Sequence, residues 1–426
     1  MRTHTPPMYP MFFRDTQAAT SETARGINRG IVLNLIRRRQ PISRADLARA
    51  SGLQRSTVSL ITEQLIRERW VISGAQGRLP RGRRPTFLQL NDRRAIVVVD
   101  LRPMTTAIAI SDANGRFLFH QEIRTPEDSG AAALQISARI RHLISGHPDL
   151  IFEGIGVSVP GRFDAQKQQI VFAPNLKWSE FGSFDLQGPL QEATGLQVEM
   201  ENAANACALA ELWFGHGERT RDMVVVTVSE GVGVGVVSNG QLMRGRNGLV
   251  GEFGHVPFDL NGPQCSCGAR GCWEVYASNW AALRYYHESS ALTHGLAFPH
   301  LLSLAESGDG LAAKALDQMA QAIGRGMRMI VAGLSPEEIV FVGEFTRLWH
   351  RVGPAIEAAV AASVLVGKPP RVRPAGADPS TARLRGTVAM VLQKHFGPIT
   401  ERRQRNSEIF GADRTSEVAK RVGRFM

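Results

Sequence analysis

Between residues 255 and 272 the chain places one histidine and three of its four cysteines: His255, Cys265, Cys267 and Cys272. One imidazole nitrogen and three thiolate sulfurs make the ligand set of a closed tetrahedral zinc site. Gly268 and Gly271 allow the tight turns that bring Cys267 and Cys272 onto one ion. The competing reading is a reduced loop whose cysteines cluster without a metal. Four protein ligands leave no open position on the ion, so one structural zinc per chain is expected, pinning a loop. Glu252 and Glu274 bracket that loop, where they would face a small ligand. Cys207 lies among alanines and Leu209 in an expected helix and reads as a core residue.

Charge carries a second chemistry. Residues 1–94 hold 18 Arg, no Lys and 6 Asp plus Glu, a net +12 against +11 for all 426 residues. A basic module on a near-neutral body points to a polyanion partner, most often nucleic acid. Ile27, Ile31 and Leu35, with Val32 and Ile36, mark an amphipathic helix; arginines 37–39 suit its last turn and Pro41 ends it. Ser43 and Asp46 open a second helix in capping-box fashion, and Gly52 turns the chain. A third helix starts near Gln54, with Leu53, Val58, Ile61 and Leu65 inward. Its other side begins Gln54, Arg55, Ser56, Thr57 and Ser59, side chains with the reach to contact bases and phosphates of a DNA duplex. Trp70, Val71 and Ile72, a loop carrying Arg78, Arg81, Arg83 and Arg84, then residues 87–90, follow the strand, basic loop, strand pattern of a wing. Residues 24–91 are therefore expected to form a winged helix-turn-helix that binds DNA, after a disordered lead-in over 1–23.

The rest reads as a duplicated α/β fold. Strands are expected at 95–100, 107–110 and 116–119, with Asn114-Gly115 as a hairpin turn. The pattern recurs at 223–228, 232–237 and 241–243, with Asn239-Gly240 as the turn. Helices at 130–145, 203–214, 311–333 and 353–365 would complete two related lobes with a cleft between them, over residues 95–393. The loop between the first two strands keeps Gly231, Gly233 and Gly235 in the second lobe but no glycine at 101–105 in the first. Backbone amides there cannot wrap a phosphate as a glycine-rich loop would. Hydrophobic content of 43% and charged content of 21% are those of a soluble globular protein, and no apolar run is long enough for a membrane span. The block Met11-Phe12-Phe13 is too short for a signal-peptide core, so a cytoplasmic protein with reduced thiols is expected. Residues 394–426 form a basic tail, with 8 Lys plus Arg against 4 acidic residues, either disordered or an auxiliary contact.

With these motifs assembled, the chain resembles the ROK family, which joins transcriptional repressors and sugar kinases on the actin-like ATPase fold. The likeness covers about residues 25–390 and is most specific in Glu252-Phe253-Gly254-His255 and in the Cys-x-Cys-Gly-x-x-Gly-Cys-x-Glu run at 265–274. The resemblance implies zinc on His255, Cys265, Cys267 and Cys272. It also implies a sugar pocket built from Gly161, Asn175, Asn202, Glu252, His255 and Glu274. Family kinases carry a general-base aspartate directly after the asparagine matching Asn202; here that position is Ala203. A methyl group cannot accept a proton, and losing a general base costs about 10²–10⁴-fold in rate. The expectation is a non-enzyme: a cytoplasmic, homodimeric or larger regulator of transcription, most often a repressor, that binds operator DNA and a carbohydrate or sugar-phosphate effector. The alternatives are an ATP-dependent sugar kinase with an appended DNA module, and a zinc sensor, although a closed four-ligand site usually serves folding.

Overall fold

The computed structural model describes residues 21–76, 86–164, 169–173, 176, 178, 184–215, 220–245, 248–290, 295–376 and 379–396. The chain divides into two compact units, residues 1–90 with 394–426, and residues 91–393.

The first unit contains α1 (Ser21–Arg39), β1 (Ile42–Ser43), α2 (Arg44–Ser51), α3 (Arg55–Arg67), β2 (Val71–Gln76) and β3 (Thr86–Leu90), with an antiparallel sheet in the order β1-β3-β2. Helix α2 starts because Ser43 Oγ accepts the N–H of Asp46 at 3.2 Å. It stops at Gly52, whose φ of +72° reverses the chain and lets its N–H reach the Ala48 carbonyl at 3.0 Å. In α3, Val58, Ile61 and Leu65 are buried as their spacing predicts, while Leu53 is only half-buried. Helix α1 corrects the expectation. It buries Gly26, Gly30, Val32, Leu33 and Ile36, and leaves Ile27 and Ile31 41% and 40% exposed. Val32 and Ile36 are buried as expected, but Gly26 and Gly30 share their face, so Ile27 and Ile31 lie toward the outside. The first residues of the basic tail are packed here: Trp70 lies 4.7 Å from the His395 ring and edge-on to Phe396 at 5.8 Å. Arg29 and Asn34 donate to the carbonyls of His395 and Phe396 at 3.0 and 3.2 Å. The lead-in to residue 20, the wing loop with Arg78, Arg81, Arg83 and Arg84, and the tail beyond 396 lie outside the described residues.

The second unit opens with β4 (Arg94–Leu101), β5 (Thr105–Asp112), β6 (Phe117–Arg124), α4 (Ser129–Ser145), β7 (Ile151–Val159), the hairpin β8 (Arg162–Asp164) and β9 (Gln169–Phe172), α5 (Gln187–Thr194), β10 (Val198–Asn202) and α6 (Ala203–Phe214). It continues with β11 (Met223–Val228), β12 (Val232–Ser238), β13 (Gln241–Met243), α7 (Glu274–Ala277), α8 (Asn279–Ser289), α9 (Phe298–Glu306), α10 (Gly310–Leu334), β14 (Glu338–Val342), α11 (Trp349–Ser363), β15 (Arg371–Pro374) and α12 (Pro379–Phe396), whose residues from 394 on belong to the first unit. The two sheets repeat one plan, β6-β5-β4-β7-β10 and β13-β12-β11-β14-β15. In each, an antiparallel meander lies on one side and two parallel strands on the other. Strands β4 and β11 are buried along their length, which is why they read as unbroken apolar runs. Ile136 and Ile140 of α4 fill the first core; Leu316, Met319 and Ile323 of α10 and Ile356 of α11 fill the second.

Helices α6 and α12 cover the opposite faces. Cys207 and Ala208 of α6 and Ala382 of α12 pack on Val225 and Val340 of the second sheet, confirming Cys207 as a core residue. Thr387 of α12 lies directly on Gly156 of the first sheet, and Gly386 meets the Ala206 backbone so closely that a Cβ has no room. Helix α12 thus touches both lobes. No helix among the described residues is long and apolar enough to cross a membrane.

Candidate functional site

The candidate metal loop, residues 255–272, is built by backbone hydrogen bonds. Phe258 N–H donates to Gly271 O at 2.6 Å, Gly271 N–H to Pro263 O at 2.7 Å, and Cys265 N–H to Ala269 O at 2.8 Å, folding the loop back on itself. Gly271 has φ +62°, and a side chain there would overlap the Asp259 backbone. Trp273, fully buried, donates its indole N–H to Ala322 O of α10 at 2.9 Å and anchors the loop to the second core. The result brings His255, Cys265, Cys267 and Cys272 together, their ligand atoms all within 4.8 Å of one another. Cys265 Sγ lies 3.6 Å from His255 Nδ1, and Cys267 Sγ 3.7 Å from Cys272 Sγ. A tetrahedral ion with bonds of about 2.3 Å to sulfur needs ligand atoms about 3.7 Å apart, and sulfurs at that separation are not disulfide-bonded. The donor set and the spacing both fit zinc. Burial pushes the Cys272 thiol up to about 12 and Cys265 in the same direction, so a cation is what would hold them as thiolates.

One cleft adjoins this loop. It is lined by Gly161, Asn202, Ala203, Glu252, His255 and Glu274 among others, bringing together five of the six sugar-site residues implied by the resemblance, together with Ala203. The sixth, Asn175, lies outside the described residues. Gly161, with φ +74°, turns against the Phe172 carbonyl, where a Cβ would collide. Asn202 caps α6: its Oδ1 accepts from Ala204 N–H at 2.8 Å and its Nδ2 donates to Gly161 O. Its second amide hydrogen is what it can offer a ligand. Ala203 is the first residue of α6, its side chain a bare methyl on the cleft wall. Glu252 and His255 share a 3-10 turn on which His255 Nε2 faces Glu252 Oε2 at 3.9 Å, while Nδ1 faces the thiols. One ring can therefore serve both metal and cleft. Burial pushes the Glu252 carboxyl up, and the Glu274 carboxylate adds to this against the pull of His255 and Arg162.

The cleft holds arginines that sequence reasoning did not single out: Arg102, Arg162 and Arg383. Arg102, in the glycine-free loop of the first lobe, pairs its Nε with Asp100 Oδ2 at 2.5 Å. Arg383 of α12 approaches the same carboxylate at 3.8 Å and donates to Ser229 Oγ of the second lobe at 3.1 Å. Glu230 and Glu344 are also close enough to influence Arg383. Two guanidinium groups and three carboxylates thus gather where the loop at 101–105 meets the glycine-rich loop of the second lobe. The missing glycine was visible in the sequence; the pairing of Arg102 with Asp100 was not.

On α3, Gln54, Arg55 and Ser56 are exposed and Thr57 and Ser59 half-exposed. Arg81, Arg83 and Arg84, expected to contact DNA from the wing, belong to the undescribed loop.

Residues 97–394 match the model of the ROK family. The chain is 34% identical over 321 residues to the xylose repressor of Bacillus subtilis, spanning 74% of this chain and 81% of that protein. A solved ROK family transcriptional regulator, a homologue of the E. coli MLC protein, matches with a TM-score of 0.74 at 25% identity, over 87% of this chain and 97% of that one. A ROK family glucokinase from Streptomyces griseus, solved with glucose and AMPPNP, matches with a TM-score of 0.63 at 27% identity, over 70% and 98%.

Proposed function

The chain belongs to the ROK family, and on that footing we propose that it is a sugar-responsive transcription regulator without kinase activity. The observation that carries this reading is the cleft itself. Asn202, Glu252, His255 and Glu274 converge as a polyol would require, while the position directly after Asn202 is Ala203, whose methyl cannot accept a proton. Arg102 and Arg383, held among the carboxylates of Asp100, Glu230 and Glu344, leave a nucleotide's phosphates little to bind. The helices α2 and α3, joined at Gly52, supply the operator-reading module, and the similarity to a xylose repressor supports repression. Zinc on His255, Cys265, Cys267 and Cys272 would hold the loop that places Glu252 and Glu274; the cleft's own groups do the binding. A homodimer reading an inverted repeat is expected, because one small DNA module rarely reaches useful specificity.

The test is a thermal-shift screen of sugars and sugar phosphates on the full chain, followed by duplex binding with and without the hits. A ligand at 100 times its Kd adds about 2.7 kcal/mol of stability. A hit that alters duplex affinity supports the reading. Phosphoryl transfer from ATP to a hexose would instead favour the kinase.

A further inference from the structure

We propose that Leu60 is a base-reading residue, contacting the C5-methyl group of a thymine in the major groove. This rests on the reading of α3 as the helix that enters DNA. Helix α3 buries Val58, Ile61 and Leu65. At 3.6 residues per turn the opposite face carries Ser56, Leu60, Glu63 and Arg67, and all four are exposed. Leu60 is 68% exposed, in the second turn of the helix. A single exposed leucine on a protein surface needs no explanation. This one stands among polar and charged side chains at the centre of the outward face, three residues past Thr57 and one past Ser59.

The major groove of DNA presents hydrogen-bonding edges at every base pair and one apolar group, the thymine methyl. Ser56 and Glu63 flank Leu60 with groups that suit the edges; only Leu60 suits the methyl. The partner's chemistry follows from charge, since residues 1–94 carry a net +12, which favours a polyanion over an apolar protein surface.

Deoxyuridine pairs as thymidine does but lacks the methyl, so it isolates this contact. A duplex is first selected from a random library with the full-length protein, and each thymine is then replaced singly by deoxyuridine. One position per half-site should weaken native binding about fourfold, the worth of one buried methyl. At that position Leu60→Ala should bind the two duplexes equally, while Leu60→Met keeps a preference for thymine. Leu60→Ala should melt at the native temperature, since its side chain is solvent-facing. If every deoxyuridine substitution affects native protein and Leu60→Ala alike, the proposal is overturned while the DNA-reading role of α3 stands. If no duplex is selected, that role falls and Leu60 falls with it.

Discussion

The backbone N–H of Val232 donates to Glu274 Oε2 at 3.0 Å, and the other oxygen of the same carboxylate lies 3.7 Å from Cys265 Sγ. One side chain therefore joins the glycine-rich loop of the second lobe to the metal loop, at the wall of the cleft. Its removal should be felt in two ways. Glu274→Ala leaves the Val232 N–H without its acceptor and should cost about 1–3 kcal/mol of stability. Glu274→Gln keeps an acceptor, so it should cost less while still weakening effector binding. Denaturant unfolding and calorimetry on the two variants separate these effects; an alanine variant as stable as the native chain would show that the link holds nothing together.

Cys267→Ser should lose metal, lower the melting temperature and abolish effector response together, because the same loop aims Glu252 and Glu274. Elemental analysis of protein purified without chelators gives the metal content. Less than about half an equivalent of zinc would contradict a structural site of ordinary affinity.

Ala203→Asp restores a proton acceptor beside Asn202 but should not restore phosphoryl transfer. The loop at 101–105 still lacks glycine, and its Arg102 is still paired with Asp100. A coupled ADP assay with a panel of hexoses checks this. Turnover by the single variant would mean that Ala203 alone, and not the loop at 101–105, stands between this cleft and a kinase.

How far the sequence could be read depended on where the decisive neighbour lay. Val58, Ile61 and Leu65 gave α3 correctly because their spacing alone defines a face. In α1 the expected Val32 and Ile36 are buried, but Gly26 and Gly30, which carry no hydrophobic signal, share that face, so Ile27 and Ile31 drew attention to the wrong side. The hairpin strands of both lobes were legible from apolar runs closed by Asn-Gly. Strand β7 was not, because Gly154 and Gly156 interrupt it for the sake of neighbours far along the chain, Thr387 and Val391 of α12. The four candidate metal ligands lie within eighteen residues and announce themselves. Arg383 reaches the cleft from the last helix, and nothing near it in sequence says so.

Substitutions in the DNA module should differ in kind. Arg55→Ala, on the exposed start of α3, should relax preference at one base pair by about 1–3 kcal/mol. Arg84→Ala should weaken all duplexes alike and reduce the salt slope by about 1. Titrations over a salt series on matched and mismatched duplexes distinguish the two; identical behaviour would undo the division of roles.

The cap of α2 should leave a signature in acid. Hydrogen bonds from Ser43 and Arg49 hold the Asp46 carboxyl below its usual range. A depressed folded pKa stabilises above the ordinary carboxylate value and ceases to do so as pH falls through the folded value. The melting-temperature gap between the native chain and Asp46→Asn should therefore narrow on acidification below about pH 4. A gap that widens would reverse the assignment.

The close approach of Gly386 to Ala206 limits how α6 and α12 can move past each other. Rods that touch backbone to backbone, with no side chain between them, can pivot at the point of contact. Sliding would drive larger side chains into the gap, because Arg385 and Thr387 flank the glycine on one rod and Asn205 and Cys207 flank the alanine on the other. Should the cleft open by tilting α12 against α6, residue 386 would be the rivet of a pair of shears. A small change in opening at the cleft becomes a displacement that grows with distance from the rivet, and any larger residue at 386 would jam it.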